Sequence, residues 1–275
     1  MATRAVLLGA VVLALLAAQP ASAATKTLTA ASGDVQATLS WQTGGIFVED
    51  VHLQIVRAGV VAYDQLLVDD GGQPTIDLPQ TLRVRDLDGD GEPEVVADLY
   101  TNGAHCCLYS LIYRYAAGTP AAYHAVLHLW GNLGYRLQDL DADGVPEWKS
   151  ADDRFAYAFT SFAGSGFPIQ IWRYSGSDFE AGLVDVTREF PSLVRKDAVS
   201  WWKIYVRERG KRYGDVRGVL AAWLADKYLL DEKADGLRKL TAIRRAGYLG
   251  GDAGWPAGRR YVAELKTFLR RLGYG

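Results

Sequence analysis

Asp86-Leu87-Asp88-Gly89-Asp90-Gly91-Glu92-Pro93-Glu94 recurs as Asp139-Leu140-Asp141-Ala142-Asp143-Gly144-Val145-Pro146-Glu147. Both copies read D-L-D-x-D-G-x-P-E, 53 residues apart. Each follows a strand-like approach, Leu82 and Val84 in one case, Tyr135 and Leu137 in the other. Three carboxylates at alternate positions repel one another unless a cation joins them. A hard cation held by oxygens, Ca²⁺ above all in an exported protein, meets that need. In such a loop, positions 1, 3 and 5 aim carboxylates inward, Gly allows the turn, position 7 lends a backbone carbonyl and position 9 closes the shell. The expected ligands are therefore Asp86, Asp88, Asp90, Glu92 and Glu94 in one site and Asp139, Asp141, Asp143, Val145 and Glu147 in the other. Position 12 holds Ala97 and Ser150, not the Glu of an EF-hand, and the flanks read as strands, so EF-hands are excluded.

Working outward, period-two alternation marks strands on both sides of the loops. Val35, Ala37, Leu39 and Trp41 form one such set; Val51, Leu53 and Ile55 form another, with Gly44-Gly45 and Ala58-Gly59 as turns. Glu94 to Leu99, Cys107 to Tyr115, Tyr123 to Trp130 and Ile169 to Tyr174 are the strands expected beyond. Tyr113-Arg114-Tyr115 resembles Trp172-Arg173-Tyr174, which extends the repeat past the loops. Asp69-Asp70-Gly71-Gly72 lacks spaced carboxylates and reads as a polar turn.

The acidic loops resemble those of the FG-GAP/VCBS repeat family, found in integrin-like β-propellers. The resemblance covers roughly residues 80 to 175. It implies a loop that joins two strands of a blade around a structural Ca²⁺. A full propeller needs at least ~4 blades, and residues 24–189 have room for about three units. The fold expected is mainly β, as partial propeller-like repeats or a β-sandwich, with a C-terminal α-helical region.

Charge divides the chain near residue 190. Through Glu189 there are 11 Lys+Arg against 23 Asp+Glu; from Phe190 onward there are 19 against 9. The second part also loses the period-two pattern. Val219, Leu220, Trp223 and Leu224, then Leu237, Leu240 and Ile243, then Tyr261, Leu265, Phe268, Leu269 and Leu272 give apolar stripes at helical spacing. Three or four amphipathic helices follow, with Lys and Arg on the open faces. This basic region either packs on the acidic part or binds an anionic cell-surface polymer; no nucleic-acid motif is present.

Arg4, the apolar run Ala5 to Ala18 and Pro20-Ala21-Ser22-Ala23 read as a bacterial signal peptide, residues 1–23, cut after Ala23. The β region is then 24–189 and the helical region 190–275. No transmembrane segment is expected after cleavage, and the protein is expected to be secreted, extracellular or periplasmic.

Asn102-Gly103-Ala104-His105-Cys106-Cys107 is a second candidate functional loop. Its G-A-H-C-C run is similar to one in exported bacterial proteins that also carry acidic loops. The adjacent thiols can close as a vicinal disulfide, stay buried and inert, or act with His105 as a nucleophile–base pair or zinc ligands. His124 and His128 share a strand face, and Asp152-Asp153-Arg154 reads as a local ion pair. No G-x-S-x-G, H-E-x-x-H or phosphate-loop motif occurs, so no catalytic residue is assigned. The expected function is a calcium-organised, non-catalytic binding or structural module; the alternative is an extracellular hydrolase of a cell-wall or polysaccharide polymer.

Overall fold

A computed structural model describes residues 24–44, 47–69, 71–104, 106–118, 120–176, 182–211, 214–250 and 254–275. Residues 1–23, where the signal peptide is expected, and His105 lie outside them. Among the described residues, twelve strands form three four-stranded antiparallel sheets, each with its strands in chain order. The first sheet holds β1 (Ala24–Ser32), β2 (Val35–Gly44), β3 (Phe47–Arg57) and β4 (Val60–Leu66). The second holds β5 (Leu78–Arg85), β6 (Glu94–Gly103), β7 (Cys106–Ala116) and β8 (Ala122–Gly131). The third holds β9 (Arg136–Gln138), β10 (Glu147–Ala151), β11 (Ile169–Tyr174) and β12 (Leu183–Asp185). Four helices follow: α1 (Pro191–Glu208), α2 (Arg217–Leu229), α3 (Lys233–Arg245) and α4 (Gly258–Arg271). The architecture is thus mainly β with a helical C-terminal part, and the described residues close neither a barrel nor a propeller.

Alternation explains how the sheets stack. On β2, Val35, Ala37, Leu39 and Trp41 are buried while Gln36, Thr38 and Ser40 face outward. That apolar face meets Val95, Ala97 and Leu99 of β6 in one core. Val96 of β6 points the other way, into a second core with Trp130, Trp148 and Tyr174 of the third sheet's side. β6 is therefore buried on both faces from Glu94 to Leu99, as a central layer must be. The third sheet turns Ile169 and Ile171 away from this core, toward Phe190 and Val194 at the start of α1. The order of layers is first sheet, second sheet, third sheet, helices.

The helices depart from expectation in one respect. α1, α3 and α4 are one-sided, but α2 is buried on every side from Arg217 to Tyr228. It carries the centre of the helical core, which also takes in Phe155 and Phe159 from the β region. Arg217 is fully buried because Asp215 holds its Nε and Nη2 and the Pro256 carbonyl accepts from Nη1.

Two carboxyl groups meet where α1, α2 and the third sheet join. Asp197 accepts from the Ile169 N–H at 3.0 Å and from Trp201 Nε1 at 2.9 Å. Asp226 is fully buried and faces Asp197, and neither of its carboxyl oxygens makes a hydrogen bond of ordinary geometry. Burial, and then the charge of Asp197, hold Asp226 protonated well above the ordinary carboxylate range. Lys149 and the Tyr274 hydroxyl are the other titratable groups beside the pair. Because the folded chain keeps this proton where the unfolded chain has released it, Asp226 makes stability fall as pH rises from about 4. Asp226→Asn keeps the side-chain shape beside Asp197 without a titrating proton. Its stability relative to the parent should increase with pH in denaturant unfolding; a constant difference across pH would rule out this proton linkage.

Candidate metal centre

Both acidic loops fold by the same backbone bonds. In the first, the Gly89 and Gly91 N–H groups donate to Asp86 Oδ1 and Oδ2 at 2.7 and 2.9 Å. Glu92 N–H donates to Asp90 Oδ1 at 2.8 Å, and Leu87 N–H to Glu94 Oε2 at 2.9 Å. In the second, Ala142 and Gly144 N–H groups donate to Asp139 at 2.7 and 3.0 Å, Val145 N–H to Asp143 at 2.8 Å, and Leu140 N–H to Glu147 Oε2 at 2.9 Å. Gly91 and Gly144 take left-handed φ of 87° and 95°, which is why glycine stands after the third Asp in both. The Leu between the first two Asp residues anchors each loop from beneath. Leu87 sits in the core between the second and third sheets, and Leu140 packs in that between the third sheet and the helices.

This folding gathers the carboxylates. One oxygen from each of Asp86, Asp88 and Asp90 lies within 4.8 Å of the others, and so does one from each of Asp139, Asp141 and Glu147. Glu94 and Glu147 are both fully buried where β6 and β10 begin. Glu94 Oε1 has no hydrogen-bond partner. Burial, joined by the charges of Asp88 and Asp90, pushes its carboxyl up to about 8. A cation bound here would favour the charged form of this carboxyl and give its free oxygen a partner. The two loops lie side by side: a Cβ placed on Gly89 would be 3.2 Å from Val145 Cγ2. The third sheet also reaches the first loop, since a Cβ on Gly176 would overlap the Asp88 carboxylate. The donor set is all oxygen, which suits Ca²⁺.

Not every expected ligand enters these clusters: Glu94 stands outside the first trio, although the charges of Asp88 and Asp90 reach it. The Glu92 side chain turns to Arg57 of β3, with Nε to Oε1 at 2.8 Å, and Arg57 in turn lies 4.3 Å over the Tyr115 ring. This pair ties the loop to the first sheet. Asp143 spends Oδ1 on the Val145 amide and stands apart from the second trio.

Two arginines that sequence reasoning left without a role complete the site. Arg114 Nη2 lies 3.1 Å from Asp90 and 3.7 Å from Asp88. Arg173 Nη2 lies 3.0 Å from Glu147 and 3.5 Å from Asp141. Their equivalence was legible in the Tyr-Arg-Tyr and Trp-Arg-Tyr repeat; what they touch was not.

The second candidate loop is elsewhere. Asn102 and Gly103 lie at the far end of β6, about 30 Å along an extended strand from Glu94. The sulfurs of Cys106 and Cys107 are placed against each other, as a vicinal pair would have them. The Cys107 N–H donates to Thr101 Oγ1 at 2.7 Å. His128 lies between Trp130 and Trp172, tilted to the first and edge-on to the second, at 4.2 and 4.6 Å between centroids, and burial lowers its imidazole to about 4. His124 is exposed. Asp152 pairs with Arg154 at 2.6 and 2.7 Å and accepts from the Tyr274 hydroxyl at 2.9 Å.

Residues 194–273, nearly the whole helical part, match a family described as the sll0997 C-terminal domain. The probable thylakoid lumen protein sll0997 of Synechocystis sp. (strain ATCC 27184 / PCC 6803 / Kazusa) is 32% identical over 158 residues, 56% of this chain and 45% of that protein. The uncharacterized protein y4bJ of Sinorhizobium fredii (strain NBRC 101917 / NGR234) is 32% identical over 147 residues, 51% of this chain and 21% of that protein. The chain spans less than half the length of these curated relatives. No solved structure matches.

Proposed function

We propose that this is an exported calcium-binding protein, a non-catalytic binding or structural module at the bacterial cell surface organised by two Ca²⁺ ions. The observations that carry the reading are the gathered carboxylates of Asp86, Asp88 and Asp90 and, near Asp88 and Asp90, the fully buried Glu94, whose Oε1 has no partner. Asp86, Asp88, Asp90 and Glu94 would hold one ion, and Asp139, Asp141 and Glu147 the other. The ion supplies charge neutralisation. The loops then brace strands, because each is rooted in a core through Leu87 or Leu140. The stacked meanders agree with partial propeller-like repeats. A relative whose name assigns it to the thylakoid lumen supports export.

Thermal unfolding with Ca²⁺ and with chelator tests the proposal. Ca²⁺ at a hundred times its Kd should stabilise by about 2.7 kcal/mol per site. Glu94→Gln should lose the share of the first loop. An unchanged Tm in the parent would remove the central claim.

The hydrolase reading has one observation in its favour. A cleft of about 480 Å³ at the end of β8 is lined by His128, Asp152, Asp153, Arg154, Trp172 and Asp185 among others. Its carboxylates are engaged, however. Asp152 is held by Arg154 and Tyr274, Asp153 accepts from Asn132 Nδ2, and Asp185 accepts from Thr187. A binding role is the better fit.

A further inference from the structure

Arg114 and Arg173 hold particular carboxylate oxygens. The loop amides bond Asp88 Oδ1, Asp90 Oδ1 and Glu147 Oε2. The arginines contact the opposite oxygens: Asp88 Oδ2 and Asp90 Oδ2 for Arg114, and Glu147 Oε1 and Asp141 Oδ2 for Arg173. Those amide-free oxygens are the ones open to a metal. A guanidinium and a divalent cation cannot occupy the same oxygens without strong like-charge repulsion. Each arginine therefore serves as the counter-charge of its loop until a metal replaces it.

Both side chains are about one-quarter exposed and have somewhere to go. They line one cleft of about 580 Å³, together with Asp88, Asp90, Tyr174 and Gly176 among others. Displaced from the loops, Arg114 leaves Asp88 and Asp90, and Arg173 keeps Glu189, a half-exposed carboxylate at 2.8 Å. An exposed pair of that kind contributes little. Two guanidinium forks on one cleft beside bound metal ions match a ligand with several negatively charged oxygens.

We infer that Ca²⁺ binding in the two loops releases Arg114 and Arg173 into their shared cleft, making it a calcium-gated site for a multiply charged oxyanion, a sulfate or phosphate ester. The inference rests on the calcium reading above. It differs from capture by the basic helical region, which would be indifferent to calcium.

Calorimetric titration of the full chain tests it with sucrose octasulfate and with glucose 1,6-bisphosphate, each in chelator and in Ca²⁺. One or both probes should bind about tenfold more tightly in Ca²⁺, and the same probe should tighten Ca²⁺ binding by the same factor, since coupling is reciprocal. Which probe responds separates the sulfate from the phosphate ester. The double variant Arg114→Gln, Arg173→Gln should bind Ca²⁺ at least as tightly as the parent and lose the calcium-dependent gain; Arg114→Lys, Arg173→Lys should recover part of it. Equal probe affinity with and without Ca²⁺, or a gain that survives in the Gln variant, overturns the inference and leaves calcium binding standing. Failure to bind Ca²⁺ at all overturns both.

Discussion

Asp98→Ala should lose about 3–5 kcal/mol of stability, the cost of removing one partner from a buried charged network. Asp98 is 3% exposed in the central strand β6, on the face toward the third sheet. Its carboxylate accepts from Arg83 Nη1 at 2.7 Å, from Ser110 Oγ at 2.5 Å, from the Tyr135 hydroxyl at 2.8 and 2.9 Å, and from Thr81. Ser110 Oγ also accepts from Trp130 Nε1 at 2.7 Å. One carboxylate thus collects donors from β5, β7 and, through Ser110, β8, and from Tyr135 ahead of β9. Burial, then the Asp98 charge, raises the Tyr135 hydroxyl above its ordinary range, so it stays a donor. In the Ala variant these donors face a cavity with nothing to accept them, and a buried unmet donor costs more than a lost bond gains. Asp98→Asn keeps the shape and should cost less. Urea unfolding at constant m measures both. A loss below about 1 kcal/mol for Ala would mean that water replaces the carboxylate, contrary to a network of this burial.

Trp148→Ala should cost a similar amount, about 3–5 kcal/mol, for a different reason. Trp148 has no exposed surface and lies in the core with Leu87, Val96, Ile112, Trp130 and Tyr174. Its Nε1 makes no hydrogen bond, so the whole loss is packing and cavity. The residue follows Glu147 directly, and its core includes Leu87 from inside the first loop. Relaxation around the cavity should therefore reach both loops, and Ca²⁺ affinity should weaken together with stability. Trp148→Phe refills part of the volume and should recover part of each. Calorimetric Ca²⁺ titration of the folded variants checks the coupling; a destabilised Ala variant with parental Ca²⁺ affinity would show that the loops do not depend on this core.

The parts of the fold legible in sequence are those written between neighbours. Each sheet is a meander in chain order, so strand pairing needs only period-two runs and turns, and residues 35–41 and 51–55 display them plainly. The D-x-D-x-D-G loops are equally local: every amide that shapes them lies within seven residues of its carboxylate. α2 was less legible. Its apolar stripe predicts one buried face, but helices and the Phe155–Phe159 segment enclose the whole of it.

By itself, then, the chain's order of residues determined the repeated acidic loops, the strand runs around them, the helical tail and the candidate cation chemistry, because short-range backbone geometry and carboxylate spacing suffice for these. Tertiary structure alone decided which faces stack, and hence that Asp98 becomes a buried hub, that Asp226 keeps its proton against Asp197, and that Gly176 rests on Asp88. It also decided that Arg57, Arg114 and Arg173 reach the loops. Those pairs join residues 24 to 35 positions apart, across strands or between sheets. Charge type and spacing along a chain cannot indicate which partner a long side chain meets, since that depends on the stacking of layers whose contacts form only after each sheet exists.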